Sequence, residues 1–115
     1  MDIYRQIHNL AEFGMIAGSY KVLYIDCTDI DGAPVSLSKA SRYGCRFYDY
    51  GTHDLLFSID GTIVSGYANR MRIEIPSKMT ASLGDCCLTY IPYVTIGENT
   101  VKYGKGRILV EGDTV

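Results

Sequence analysis

The sequence predicts an all-β domain: a two-sheet antiparallel β-sandwich of seven to eight strands behind a short N-terminal amphipathic helix. Three observations carry that prediction. Apolar and polar residues alternate at a period of two in four stretches, as they do on a half-buried strand. Each of these stretches is closed by a turn containing Gly, Asp or Asn. The strands are short and regularly punctuated, with no internal repeat and no low-complexity linker, which is the spacing of a sandwich.

The elements follow in order. Ile3, Ile7, Leu10 and Phe13 recur at helical spacing, with Asp2 placed as N-cap and Gly14 as stop. A three-turn helix is marginal alone, so its stripe has to dock on the sandwich or on a neighbouring subunit. Residues 1–14 are accordingly read as a helix and candidate oligomer contact, and 15–115 as the sandwich. Tyr20 to Cys27 is the first strand, with Tyr20, Val22 and Tyr24 on one face and Leu23 and Ile25 on the other. Asp29, Asp31, Gly32 and Pro34 make a turn. Val35, Leu37 and Ala40 lead to a strand near Tyr43 to Tyr50, in which Tyr43, Cys45 and Phe47 share a face. Leu55 to Ile59 and Thr62 to Val64 flank Asp60-Gly61, the dipeptide of a two-residue hairpin. In Met71 to Ile75 the apolar face opposes Arg70, Arg72 and Glu74, and Pro76 ends the strand. Ser77 to Leu83 reads as a helical turn or a loop crossing between sheets. Cys86 to Thr95 contains Pro92, which assigns that part to an edge or a bulge. Gly97-Glu98-Asn99 turns the chain, Thr100 to Tyr103 returns, and Gly106 introduces the last strand, Arg107 to Glu111.

Composition narrows the function. At 115 residues the chain makes one domain with a core of its own. Eleven basic against thirteen acidic residues leave a charge of -2, so no overall positive field attracts a polyanion and nucleic acid is not an expected partner. No window approaches the ~18 apolar residues of a spanning helix, and no membrane partner is expected. Asp2 and Arg5 interrupt the apolar pattern of the N-terminus, unlike a secretion signal. Four cysteines fall in apolar strand patterns, and adjacent Cys86 and Cys87 point to opposite faces. They are expected as reduced, mostly buried thiols, with a Cys27–Cys45 bridge as the alternative. Ten tyrosines without tryptophan suit both strands and interfaces.

No motif points to catalysis, a metal or a cofactor. Tyr103-Gly104-Lys105-Gly106-Arg107 lacks the third glycine or the Gly-Lys-Ser/Thr ending of a phosphate loop, and a strand follows it. Asp26, Asp29 and Asp31 lack the distal glutamate of a calcium loop and read as a solvated turn. His8 and His53 stand outside metal-ligand spacing, and no C-x-x-C pair occurs. A cysteine nucleophile with His53 as base has no sequence feature in its favour. Arg42, Arg46 and Tyr48 share a face, as do Arg70 and Arg72, and both read as a solvated sheet face or a polar subunit contact.

The order of turn and strand markers carries a resemblance. Asp31-Gly32-Ala33-Pro34 follows the first strand and precedes Val35-Ser36-Leu37-Ser38. Leu83-Gly84-Asp85 precedes a Tyr-containing strand, and Gly106 to Val110 closes the pattern. Over residues 16 to 112 this resembles the Ig-like N-terminal domain of tailed-phage baseplate upper proteins and related phage fibre-attachment domains. There a D-G-x-P-x-x-L segment follows the first strand and an L-x-G-x-Y type segment enters a late one. The resemblance implies an Ig-like sandwich and a non-enzymatic virion component, made in the host cytoplasm. Such a component self-assembles and docks a fibre or receptor-binding protein in a baseplate, fibre or capsid-attached adhesion device. It transfers no catalytic residue, because the family pattern contains none. The expected contact residues are Ile3, Ile7, Leu10 and Phe13 on the helix, with Tyr48, Tyr50, Tyr93 and Tyr103 as surface aromatics. The alternative is a monomeric carbohydrate- or protein-recognition sandwich with exposed aromatics in a shallow groove.

Overall fold

The computed structural model describes residues 10–28 and 31–112. Nine strands among them form two sheets. The larger runs in the order β1 (Phe13–Ile16), β9 (Gly106–Glu111), β7 (Cys86–Ile96), β3 (Arg42–Asp49), β4 (Leu55–Asp60), and β8 (Asn99–Lys102) pairs with the far end of β7. The smaller consists of β2 (Lys21–Asp26), β6 (Tyr67–Ile75) and β5 (Thr62–Val64). A 3-10 turn at Leu37–Lys39 and a four-residue helix, α1 (Ser77–Thr80), complete the regular structure.

The inner faces of the two sheets share one core, which makes the arrangement sandwich-like. Ile25 of β2 and Met71, Ile73 and Ile75 of β6 pack with Cys45, Phe47, Leu88, Tyr90, Val94, Ile108 and Val110 of the larger sheet. For Ile25, Cys45, Phe47, Met71, Ile73 and Ile75 these are faces that the period-two alternation already sets apart, because adjacent side chains on a strand must point to opposite faces. Phe47 stacks on Phe57 of β4 at 4.6 Å. Thr80, the one buried polar side chain among the described residues, is satisfied: its hydroxyl accepts the Gly18 N–H at 2.9 Å. Cys27 and Cys45 are fully buried, and all four cysteines are free thiols.

Four expectations are corrected. The helix expected over residues 2–13 falls mainly on residues 2–9, which lie outside the described residues; Leu10 to Glu12 have no regular structure and Phe13 opens β1. The boundary between residues 14 and 15 therefore lies inside a strand. β1 pairs in parallel with β9, from Phe13↔Ile108 to Ile16↔Glu111, so the larger sheet is mixed and the strand count exceeds eight.

The second correction concerns Asp60-Gly61, which turns no hairpin. β4 pairs with β3 whereas β5 pairs with β6, so the dipeptide carries the chain from one sheet to the other. Gly61 has no positive φ. Space is tight there: a Cβ would lie 3.1–3.2 Å from Met71 Sδ, Ile73 Cδ1 and Tyr43 Cδ2, so those side chains would have to give way. Two-residue hairpins occur instead at Ser65-Gly66, where Val64 pairs with Tyr67 and Gly66 sits at φ 85°, and at Gly97-Glu98, where Ile96 pairs with Asn99 and Gly97 sits at φ 62°.

Pro92 supplies the third correction, since it lies on the central strand β7, opposite Cys45 of β3. Its carbonyl accepts the Tyr103 N–H at 3.0 Å on the other side. Because the N and C=O of one residue project from the same side of a strand, the missing N–H faces the interval between β9, which pairs as far as Tyr90, and β8, which begins at Tyr93. The ladder to β3 loses no bond, so a proline is tolerated at this position. The fourth correction concerns the tyrosines and belongs with the surfaces.

Candidate functional site

Two outward faces concentrate aromatic and charged side chains. On the smaller sheet, β2 and β6 are in register from Lys21↔Ile75 to Asp26↔Arg70. With Met71, Ile73 and Ile75 committed to the core, Arg70, Arg72 and Glu74 must point outward, beside Tyr20 and Tyr24. Tyr24 is 60% exposed, and Tyr20 and Tyr67 are each about half exposed. The face is cross-linked. Tyr20 Oη donates to Glu74 Oε1 at 2.8 Å and accepts from Arg72 Nη2 at 3.1 Å, while Arg72 pairs with Glu74. Arg70 holds Asp26 at 2.6 Å and lies 4.2 Å over the Tyr67 ring. The hydrogen bond from Arg70 holds the Asp26 carboxyl below the usual carboxylate range, and those from Tyr20 and Arg72 do the same for Glu74.

The second face is a groove of about 690 Å³ on the outside of the larger sheet. Its origin is a row of paired residues across three strands: Tyr48 on β3, Thr89 on β7 and Arg107 on β9. The short threonine between two long side chains leaves a valley, floored also by Ile91. One bank is Tyr48, Tyr50 and His53; Leu10, Glu12, Lys102 and Lys105 line the rest. The β3–β4 loop sets the aromatic bank. Asp49 Oδ1 accepts the N–H groups of Gly51 and Thr52, each at 2.9 Å, and its carboxyl is lowered chiefly by the Thr52 N–H. His53 donates its N–H to Asp49 O at 2.8 Å and takes the left-handed conformation at φ 63°, which is unusual for a side chain with a Cβ. The opposite bank is pinned by Tyr90, whose hydroxyl reaches past Gly106 to donate to Ala11 O at 2.6 Å, and by the Leu10 N–H bonded to Lys105 O. Arg107 bonds Glu12 at 3.1 Å and stands 5.6 Å over the Tyr50 ring.

The expected contact residues are divided by this geometry. Tyr48 and Tyr50 line the groove, as does Leu10. Phe13 is half buried, its ring 5.8 Å from Tyr90. Tyr93 and Tyr103 are not surface aromatics, being 1% and 8% exposed. Tyr93 points to the outer face, but the Arg46 guanidinium covers it at 4.5 Å and Gly44 pairs beside it. Ile3 and Ile7 lie outside the described residues. Tyr20, Tyr24 and Tyr67 were not singled out as contacts, although alternation already places Tyr20 and Tyr24 opposite the core-facing Leu23 and Ile25.

Burial pushes the Cys27 and Cys45 thiols up to about 12, and the Cys86 thiol is also raised by burial. Such thiols are poor nucleophiles at neutral pH. Of the three aspartates near the first turn, Asp26 is engaged by Arg70, and Asp29 lies outside the described residues. No group of three metal-ligating side chains occurs among the described residues, and no helix there is long and apolar enough to cross a membrane. No protein-family model matches this sequence, and no curated protein matches it significantly.

Proposed function

We propose that the chain is a non-enzymatic assembly module of a phage virion, an Ig-like sandwich that works in a tail baseplate, fibre or capsid-attached adhesion device. It is made in the host cytoplasm and carried on the virion. Its partners are further copies of itself and a fibre or receptor-binding protein. The turn and strand markers between residues 16 and 112 supply the phage part of this reading. The observation that carries the assembly part is the outward face of the smaller sheet, with Tyr20, Tyr24 and Tyr67 exposed beside Arg70 and Arg72.

Tyrosine and arginine are the residues that interface cores accumulate and that dominate binding energy there. Here they are already ordered by one another, so little side-chain entropy remains to be lost on association. Each arginine also carries its own carboxylate, Asp26 for Arg70 and Glu74 for Arg72, which keeps an uncompensated charge from being buried.

Sedimentation velocity over a concentration series tests the reading. The wild-type chain is expected to self-associate, and the exposed-face variant Tyr20→Ser/Tyr24→Ser/Tyr67→Ser to sediment as a folded monomer. A wild-type chain that stays monomeric up to its solubility limit overturns self-assembly, as does a variant that associates equally well.

A further inference from the structure

The groove on the larger sheet is chemically unlike the tyrosine face. The geometry points to a binding site for an acidic sugar, a pyranose bearing a carboxylate or phosphate group, between the tyrosine bank and Lys102 and Lys105. This goes beyond the assembly reading and does not rest on it, since the two surfaces lie on opposite sheets.

Three observations converge. The first is charge: among the described residues that line the groove, Lys102, Lys105 and Arg107 face a single carboxylate, Glu12, in a chain whose overall charge is -2. Glu12 is occupied by Arg107, whereas Lys102 and Lys105 have no ion-pair partner among the described residues. A local excess of positive charge on a negative molecule selects an anion that fits the groove while the rest of the surface repels polyanions.

The second is shape and lining. At about 690 Å³ the groove is far larger than an inorganic anion and falls within the ~300–1,000 Å³ of small-molecule sites. Tyr48, Tyr50, His53 and Thr89 alternate apolar rings with groups that hydrogen-bond hydroxyls. A pyranose matches that alternation, because one ring face is a patch of C–H groups and its rim is hydroxyl.

The third is the state of Tyr50. Arg107 stands over its ring, yet the residue remains 48% exposed. Such a ring offers one open face for stacking, which suits a ligand that keeps its other side wet. The Asp49-anchored loop and the left-handed His53 hold this bank in place before any ligand arrives.

Calorimetric titration of the full chain tests the proposal with glucuronate-, galacturonate- and phosphate-bearing tetrasaccharides, the methyl esters of the uronates, inorganic phosphate and AMP. At least one acidic tetrasaccharide is expected to bind, more weakly as salt rises, with its methyl ester roughly tenfold weaker. Lys102→Ala/Lys105→Ala and, separately, Tyr50→Ala are each expected to lose roughly tenfold in affinity, while thermal unfolding confirms that both remain folded. Binding to none of the acidic sugars overturns the proposal. Equal binding of the methyl ester overturns its charge part, and binding of phosphate or AMP as tight as the sugar overturns its sugar part. Sedimentation reports on assembly and titration on the groove, so either reading can fail alone.

Discussion

Replacing Gly106 by alanine measures how firmly Tyr90 is locked between the core and the groove wall. Gly106 has no positive φ, so the backbone accepts alanine and only space forbids it. A Cβ at this position would lie 2.5 Å from Tyr90 Cε1 and Cζ and 2.6 Å from its hydroxyl oxygen. Carbon–carbon contact is comfortable at ~3.5–4.0 Å, which requires the ring to retreat by roughly 1 Å. Tyr90 has little room to do so: it is buried, its ring packs on Phe13, and its hydroxyl is tied to Ala11 O. Overpacking of this kind costs about 1–3 kcal/mol. Loss of the Ala11 hydrogen bond adds about 1 kcal/mol, for a total of about 2–4 kcal/mol.

Equilibrium urea unfolding reads this directly. With a slope of about 2 kcal/mol/M, the midpoint should fall by roughly 1–2 M. In a Tyr90→Leu background the ring is gone, and Gly106→Ala should cost less than ~1 kcal/mol, since alanine is the better strand residue once space exists. A Gly106→Ala protein within about 0.5 kcal/mol of wild type, or an equal cost in both backgrounds, refutes the reasoning.

Gly44→Ala sets a Cβ 2.4 Å from the Ile59 carbonyl oxygen, a backbone atom of edge strand β4. It should destabilise by about 1–3 kcal/mol and release β4 first, so hydrogen exchange is expected to accelerate in Leu55–Asp60 before β7 or β9; uniform acceleration contradicts it. The Cys27 and Cys45 thiols, raised from an ordinary 9.0 to about 12, stay protonated in the folded protein after the unfolded chain has lost those protons. Stability should therefore be full below pH 9 and fall between pH 9 and 12 by up to ~1.4 kcal/mol per pH unit for each thiol, and Cys27→Ala/Cys45→Ala should flatten that slope; an unchanged slope contradicts it.

Particular residues show which parts of the fold were legible. Met71, Ile73 and Ile75 announce a buried face and Arg70, Arg72 and Glu74 the opposite one; the first is in the core and the second faces outward, with its two arginines half-buried. Tyr43, Cys45 and Phe47 do the same for β3. The groove residues were visible only in pieces, as an exposed turn in Tyr103 to Arg107, a lone His53 and two surface tyrosines. What joins them is the register of Tyr48, Thr89 and Arg107, set by pairings between segments some 20 to 40 residues apart in the chain. Tyr93 was misread because its outward position is covered by Arg46, a neighbour from another strand.

Alternation at a period of two is a property of consecutive residues, so the chain by itself determined which side chains each of its longer strands turns inward and where most turns fall. Pairing partners are a property of distant segments, and only the tertiary structure decided them: β1 running parallel to β9, Gly61 crossing between sheets, Pro92 tolerated on a central strand. The cause is common to all three. A backbone donor, a missing N–H or an absent Cβ has no energetic meaning until the strand or ring beside it is in place.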